Sequence, residues 1–196
     1  MELTQEVVIP RQNLLDKFGG VTIRGKYKTP MKNQRERIQA SLAELISTRI
    51  ITAIGGISVA RSSLAIATIY ALNRRQFGAP NSKNEELLMS YKIHQLRLIP
   101  HIVDSYAIKV FSNQVKKLYV LKSSRCVSKE LHVMVSALKI AGSEHVNNAN
   151  QSCRECCGGQ GYLARNCISI SRADSDIFQT LEADNIDLTL NLDKSY

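Results

Sequence analysis

The sequence predicts an all-α protein, an up-and-down antiparallel helical bundle preceded by a short N-terminal extended segment. Apolar residues recur at intervals of three and four along three long segments, which places them on one face of a helix in each. Glycine or proline clusters end the first and third segments, as expected at helix ends. Long amphipathic helices joined by short turns are typical of such a bundle.

The first 33 residues do not share this helical pattern. Glu6–Pro10 is a short apolar run that ends at its proline, and the sequence predicts an extended conformation there. A pair of glycines, a further glycine and Pro30 then mark turns. We therefore expect two parts, a linker-like segment over residues 1–33 and a helical domain over residues 34–196.

The helical periodicity covers most of the second part. Gly55 and Gly56 lie inside the first long segment, where they weaken the helix but allow a close approach to another helix. Pro100 predicts a kink or a join in the second segment. Asp174 and Asp176 suit the N-terminus of a short fourth helix, because carboxylates accept hydrogen bonds from its unpaired N–H groups. The three long helices are predicted over approximately Glu36–Gln76, Glu85–Leu121 and Ser128–Cys157.

Length and composition indicate one soluble globular domain. The chain has 196 residues, of which 44% are hydrophobic and 22% are charged, and these values exclude a largely disordered protein. The longest apolar stretch, Ile50–Leu72, is interrupted by glycines, serines and Arg61, so no membrane span is expected. Neither a secretory signal at the N-terminus nor a peroxisomal address at the C-terminus is recognisable.

The chain is basic, with 26 lysines and arginines against 17 acidic residues and a formal net charge of +9. Such a surface attracts polyanions, so a nucleic-acid-binding helical domain is one alternative. No recognition-helix, RNA-binding or zinc-finger pattern accompanies the charge, which is spread along the chain. A solvated basic face is the simpler interpretation, and no nucleic-acid partner is expected.

Five cysteines are present, an odd number in a chain without an export signal, which favours free thiols in a reducing compartment. The Cys-x-x-Cys spacing among them has no second pair or histidines at ligand spacing, so no metal site is expected. We predict that these thiols are small buried hydrophobic groups on a helix. They are Cys126, Cys153, Cys156, Cys157 and Cys167.

The stretch from Cys156 to Asn185 combines the features that suggest chemistry. It begins with a turn of closely spaced glycines that carries an aromatic residue, Tyr162. It ends with a single candidate base, Glu182, in the segment Thr-Leu-Glu-Ala-Asp-Asn. Glycine permits backbone conformations and close approaches that other residues do not. The glycines are Gly158, Gly159 and Gly161.

Four segments together resemble the acyl-CoA oxidases, the peroxisomal branch of the acyl-CoA dehydrogenase superfamily. They are VVIPRQNLLDKFGGV at the N-terminus, NRRQFG from Asn73, CGGQGY from Cys157 and DIFQTLEADN from Asp176, in the order and spacing of that family. The resemblance covers nearly the whole chain but only part of a family member. Residues 1–33 resemble the end of its middle β-domain and a linker, and residues 34–196 resemble its first C-terminal helical domain.

The resemblance implies a flavoprotein that acts in fatty acid β-oxidation in the peroxisome. With FAD as cofactor, such an enzyme oxidises a fatty acyl-CoA to the trans-2-enoyl-CoA and transfers the electrons to oxygen, which gives hydrogen peroxide. Glu182 corresponds to the family's catalytic base, which removes the α-proton while hydride leaves the β-carbon. A carboxylate enclosed by an apolar acyl tunnel is a stronger base than one in water. The resemblance also implies a homodimer, or association with a fuller oxidase chain.

Further site residues follow from the same resemblance. Arg74 corresponds to an arginine that contacts the flavin pyrophosphate, typically that of the neighbouring subunit, and a guanidinium suits phosphate oxygens. Phe77 would pack at the adenine end of the cofactor. From local sequence alone, an ion-paired arginine and a core phenylalanine at a helix end are equally good interpretations. The glycines of the turn would let the backbone approach the cofactor, or would simply end a helix; they are Gly158, Gly159 and Gly161.

Three further positions of the chain correspond to particular residues of the family or its superfamily. Arg49 falls where the superfamily carries an arginine near the CoA-binding end, which implies a substrate contact. Glu155 stands where the dehydrogenase branch has a glutamine that contacts the cofactor. Ala183 stands where the family usually has glycine, so a positive φ there would be strained. The histidines match no catalytic position of the family.

Two main hypotheses therefore remain. In the first, the chain is a fragment or truncated form of an acyl-CoA oxidase, and by itself it is not expected to be active without the β-domain. In the second, it is a catalytically inactive helical-bundle relative that retains only packing or subunit contacts.

Overall fold

The computed structural model describes residues 7–31, 33–78, 84–122 and 129–193. Five α-helices dominate this part of the chain, so the predicted all-α class is confirmed. The residues divide into two compact units, one up to Leu45 and one from Ile46 onward. The boundary expected at residue 33 stays a prediction.

The first unit contains a small antiparallel strand pair. A 3₁₀ turn at Arg11–Asn13 precedes strand β1, Gly20–Val21, which pairs with β2, Tyr27–Lys28. The Thr29 hydroxyl donates to the carbonyl of Phe18 at 2.6 Å, which ties the two sides of this hairpin together. The extended run expected over residues 6–10 is not a strand in its described part, residues 7–10, and residue 6 lies outside the described residues.

The three long helices are present close to their predicted positions. Between the first and second, a short hairpin of β3, Arg75–Gln76, and β4, Glu86–Leu87, replaces predicted helix. The helices end short of this region because the paired strands use their backbone groups with one another, and the Tyr91 hydroxyl also donates to Gln76 O at 2.9 Å. The helices are α1, Gln34–Asn73, α2, Lys92–Lys122, which contains Pro100, and α3, Lys129–Cys156.

The prediction for the short fourth helix was wrong in position. Helix α4 spans Ile168–Asp176, so Asp174 and Asp176 lie in its last turn rather than at its start. A 3₁₀ turn at Ile177–Gln179 follows, and a fifth helix, α5, spans Asn185–Asp193. The capping carboxylate of α5 is instead Asp184, whose Oδ1 accepts the N–H of Ile186 at 2.8 Å.

Helices α1 and α3 approach closely at glycine, as Gly55-Gly56 predicted. A Cβ on Gly56 would lie 3.0 Å from the carbonyl oxygen of Gly142, and one on Gly142 would lie 3.0 Å from the Cα of Ala53. These distances leave no room for a side chain between the two backbones. The neighbouring Gly55 faces the ring of Phe178 instead, at 3.6 Å.

Two clusters of buried apolar residues form the core of the second unit. In each, residues of α1, α2 and α3 meet, as the spacing of apolar residues predicted. One cluster includes Ala60, Leu64, Leu98, Val146, Cys153 and Ile168. The other includes Ile46, Ile50, Val115, Leu131, Val135 and Leu138.

The thiols follow the prediction at three positions and depart from it at one. Cys153, Cys156 and Cys157 are buried at the end of α3. Burial raises the pKa of Cys153 to about 12 and that of Cys157 to about 11, which makes them poor nucleophiles. Cys167 is exposed, because it lies in a left-handed turn before α4 rather than on a helix. Cys126 lies outside the described residues.

One segment within α1, Leu45–Asn73, is long and apolar enough to cross a membrane by length and composition, with a mean hydropathy of 1.6. Half of its most apolar stretch is buried inside the protein. A core helix of this kind passes the same test, so the segment is weak support for a membrane span.

Candidate functional site

Glu182 lies in a turn of unusual backbone geometry between the 3₁₀ turn and α5. Its φ is 60°, and that of Ala183 is 101°, so two successive residues other than glycine are left-handed. Such residues are uncommon because Cβ crowds the backbone. The positive φ at Ala183 is the conformation for which glycine is best suited.

Lys139 of α3 lies beneath this turn, with none of its surface exposed to solvent. Its Nζ donates to the carbonyl oxygens of Gln179 at 2.9 Å and Ala183 at 2.6 Å, and to Oδ1 of Asn185 at 2.7 Å. Burial lowers the pKa of Lys139, and the negative charge of Asp184 opposes this effect. The ammonium therefore has its three donors satisfied within one segment of the chain.

The side chains around Lys139 extend the hydrogen-bond network. Asn185 Nδ2 donates to Gln179 Oε1 at 2.7 Å and to Ser143 Oγ at 2.9 Å. Gln179 Nε2 donates to the carbonyl of Ser143 at 3.1 Å. Asn185 and Ser143 are buried, so these bonds are shielded from competing water. The turn is thereby tied to α3 at both of its ends.

Arg49 of α1 contacts the same turn from another side. Its Nε donates to the carbonyl oxygen of Glu182 at 3.0 Å, and only 9% of the residue is exposed. Burial lowers the pKa of Arg49, and the carboxylate of Glu182 opposes this shift. Burial and the charge of Arg49 also lower the pKa of His132. Arg49 is thus a neighbour of the candidate base.

A second location, the α3-end cleft, holds other residues expected at the cofactor. This cleft of about 540 Å³ brings Arg74, at the end of α1, next to Gly158 and Gly159 after α3. Gly158 has a φ of 54°, and a Cβ on Gly159 would meet no atom within 4 Å, so the backbone is open to the cleft. A guanidinium beside exposed backbone can accept an anionic group.

Other charged groups line the α3-end cleft. Arg97 of α2 forms an ion pair with Glu155, and Gln151 Nε2 donates to the other oxygen of that carboxylate. His94 also lines the cleft, and its Nε2 is buried without a hydrogen-bond partner among the described residues. Glu155 therefore has a partner within the chain, whereas His94 offers a polar atom that a ligand could use.

The remaining expected cofactor residues lie outside the lining of the cleft. Phe77 has a φ of 58°, is 72% exposed, and its ring meets Tyr91 edge-on with centroids 6.3 Å apart. It is not a core residue, which removes one interpretation left open by the sequence. Gly161 is buried, and a Cβ there would lie 2.3 Å from the carbonyl oxygen of Arg154. This glycine is required for packing.

The structure thus brings the expected residues together in two groups. Glu182 and Arg49 are in contact, and Arg74 shares the α3-end cleft with Gly158 and Gly159, but neither Glu182 nor Arg49 lines that cleft. Lys139 was missed by sequence reasoning. The sequence did contain a sign of its role, because Lys139 interrupts the apolar spacing of α3 at a position that faces the core.

A group of possible metal ligands occurs elsewhere, between α2 and α3. Atoms of His101, Asp104 and His145 lie within 4.8 Å of one another. His101 Nε2 already bonds the Ser152 hydroxyl at 2.9 Å, and His145 Nε2 bonds that of Ser105 at 2.7 Å. One nitrogen of each ring therefore already has a hydrogen-bond partner, and a metal is not needed to explain its position.

Comparison with known proteins identifies the family. Residues 42–195 match the family model described as acyl-CoA oxidase, C-alpha1 domain. The chain belongs to the acyl-CoA oxidase family. A peroxisomal acyl-coenzyme A oxidase 3 of Arabidopsis thaliana is 36% identical to it over 177 residues, which are 90% of this chain and 26% of that protein. The chain thus spans about a quarter of the length of this acyl-CoA oxidase relative.

Solved structures of acyl-CoA oxidases share the fold. A crystal structure of a tomato acyl-CoA oxidase superposes with a TM-score of 0.85 and 27% identity, over 97% of this chain and 29% of that one. Acyl-CoA oxidase-1 of Caenorhabditis elegans, complexed with FAD and ATP, gives a TM-score of 0.69 and 26% identity, over 95% of this chain and 27% of that one. The helical arrangement described above is therefore that of acyl-CoA oxidases.

Proposed function

We propose that this chain supplies the catalytic base and part of the cofactor site of a peroxisomal acyl-CoA oxidase. The reaction is the FAD-dependent oxidation of a fatty acyl-CoA to the trans-2-enoyl-CoA, with oxygen as electron acceptor and hydrogen peroxide as product, in fatty acid β-oxidation. The observation that carries the proposal is the turn at Glu182, whose backbone is held by Arg49 and Lys139.

Glu182 is the base in this proposal. A positioned carboxylate accepts the proton from the carbon next to the thioester carbonyl, provided that its direction is fixed before the substrate arrives. The contact between Arg49 Nε and Glu182 O supports a role for Arg49 in setting that direction. The substrate contact expected for Arg49 remains a prediction.

The α3-end cleft is the proposed site of the FAD pyrophosphate. Three features of the cleft suit a negatively charged phosphate group: Arg74, the open backbone at Gly158 and Gly159, and Nε2 of His94, which has no hydrogen-bond partner in the described part of the chain. When bound, FAD accepts the hydride that leaves the β-carbon. The exposed ring of Phe77 can pack on the adenine. Because Glu182 does not line this cleft, we propose that the FAD held here belongs to a neighbouring subunit, whereas Glu182 serves the flavin of its own.

Production of hydrogen peroxide by the purified full-length protein, supplied with FAD and a fatty acyl-CoA, tests the proposal. Glu182→Gln is expected to lower kcat by about 100- to 10,000-fold, the usual contribution of a general base. Glu144→Gln, a change at an exposed carboxylate of α3, is the matched control and is expected to leave kcat unchanged. An unaltered rate in Glu182→Gln would exclude Glu182 as the base.

The alternative function is a non-catalytic helical bundle that contributes only packing or subunit contacts. The φ of 101° at Ala183 favours it, because alanine is strained at a positive φ that glycine adopts readily. A protein that stays colourless in excess FAD and forms no peroxide, yet co-elutes with an active acyl-CoA oxidase on size exclusion, would support this alternative.

A further inference from the structure

Lys139 is a cation at a core position of α3. It follows Val135 by one helical turn and precedes Gly142 and Val146 on the same face, and all four residues are buried. An apolar residue would be the ordinary choice there, because the removal of an ammonium group from water is unfavourable. A buried ammonium group is tolerated when each of its donors has an acceptor. The identity of these acceptors therefore indicates which part of the chain Lys139 stabilises.

All three acceptors of Lys139 belong to one segment, residues 179–185. The carbonyl of Gln179 precedes Glu182 in the chain, and the carbonyl of Ala183 and the amide of Asn185 follow it. Here a single group joins the beginning and the end of the turn that carries the candidate base.

Charged groups from three elements surround this contact. Glu182 and Asp184 belong to the turn itself, Lys139 to α3 and Arg49 to α1. Arg49 Nε holds the carbonyl of Glu182 while Lys139 Nζ holds that of Ala183, so two successive carbonyls are fixed by two cations. These are the two residues of this turn with positive φ, a conformation that persists where the surroundings impose it.

We propose that Lys139 is a positioning residue for Glu182. It holds the turn of residues 180–184, with the positive φ of Glu182 and Ala183, and thereby fixes the direction of the Glu182 carboxylate toward substrate. The effect of Lys139 on catalysis rests on the proposed function, whereas its effect on the conformation of the turn does not. Lys139 donates to no atom of the Glu182 side chain, so it acts through the backbone.

Hydrogen exchange on the full-length protein tests the holding of the turn without any assay of activity. In Lys139→Met, the amides of Thr180 and Leu181, which donate to the carbonyl of Ile177, are expected to exchange at least about tenfold faster, because the turn that contains them is no longer held by the ammonium group. Amides of α2 serve as the internal reference and are expected to keep their rates. Lys117→Met, at an exposed lysine of α2, is the matched control.

Steady-state kinetics test the catalytic meaning. A misdirected base slows proton removal but leaves the binding of acyl-CoA intact, so Lys139→Met is expected to lower kcat about tenfold or more while KM stays within about twofold. In the Glu182→Gln background the same change is expected to have no further effect on kcat, because there is no base left to misdirect. A loss that appears in KM alone would overturn the positioning role.

The outcomes separate the two proposals. Faster exchange in the turn of a protein that oxidises no acyl-CoA would support the holding of the turn and count against the proposed function. Unchanged exchange in a folded Lys139→Met protein would overturn the inference whatever the activity. If Lys139→Met does not fold, the same exchange measurement is made on Asn185→Ala, which removes one of the three acceptors of Lys139. Faster exchange in the turn of this variant supports the inference, and unchanged exchange overturns it.

Discussion

Ala183 has the largest positive φ of the residues that the structure describes, a backbone conformation poorly suited to its side chain. With a φ of 101° it lies in a region that glycine occupies readily and that other residues occupy at a cost. The carbonyl of the same residue accepts the shortest of the three bonds from Lys139, at 2.6 Å. The strain is thus located where the turn is most firmly held, because strained conformations persist only where the surrounding structure imposes them.

The strain at Ala183 predicts that Ala183→Gly stabilises the protein. We expect the free energy of unfolding to rise by about 1 kcal/mol, because relief of the positive φ outweighs the added flexibility of glycine in the unfolded chain. Urea denaturation measures the change. Ala107→Gly, at an exposed position within α2, is the control and is expected to lower the free energy by about 1 kcal/mol. A loss of stability in Ala183→Gly would contradict the strained geometry.

At the scale of elements, small residues determine how closely the backbone segments pack. Gly56 and Gly142 bring α1 against α3, and Gly161 brings the turn after α3 back onto the last residues of that helix. At each of these glycines, the atoms nearest to the position of a Cβ include backbone atoms, which cannot rotate away as a side chain can. The position of the α3-end cleft therefore depends on residues that do not line it.

The glycines of the turn after α3 are predicted to differ in their tolerance of alanine. Gly161→Ala is expected to lower the free energy of unfolding by about 1–3 kcal/mol, because the new Cβ overlaps the carbonyl of Arg154. Gly159→Ala, two residues away and open to solvent, is the matched control and is expected to change it by less than about 0.5 kcal/mol. Thermal unfolding of the two variants provides the comparison, and equal losses would show that the turn packs differently.

At the scale of the whole molecule, stability couples to pH through three histidines with lowered pKa values, of which His145 is buried, His94 half-buried and His132 exposed. Burial lowers the pKa of His145, the neighbouring His101 lowers it further, and Asp104 opposes the shift. Burial also lowers the pKa of His94 and His132. Below the usual value of 6.5 the unfolded chain binds protons that the folded chain does not. The contribution of these histidines to the free energy of unfolding is therefore fully present above pH 6.5. It is lost as the pH falls toward their lowered pKa values in the folded protein.

This linkage predicts that the free energy of unfolding decreases between about pH 6.5 and 5. His145→Asn, which can still hydrogen-bond the Ser105 hydroxyl, is expected to weaken this dependence. Urea denaturation at a series of pH values measures it. A free energy that rises as the pH falls through this range would contradict the predicted direction for these three histidines.

The sequence was sufficient for the long helices, because their apolar spacing is a local property. It was insufficient for the hairpin of β3 and β4 and for the start of α4, where pairing and packing with distant residues decide the local structure. The same limit applied to the site. Glu182 was selected from its motif and Arg49 from its spacing to Phe77, but their contact joins residues 133 positions apart. Lys139 belongs to no motif, and its role depends on the fold.

The exposed thiol of Cys167 has a practical consequence. Among the described cysteines, Cys153, Cys156 and Cys157 are buried and strongly resist ionisation, whereas Cys167 is accessible at the start of α4. In a Cys126→Ser background, a maleimide dye would therefore label one defined site, a few residues along the chain from the glycine turn of the α3-end cleft. The protein thus contains its own attachment point for a fluorescent reporter of cofactor binding.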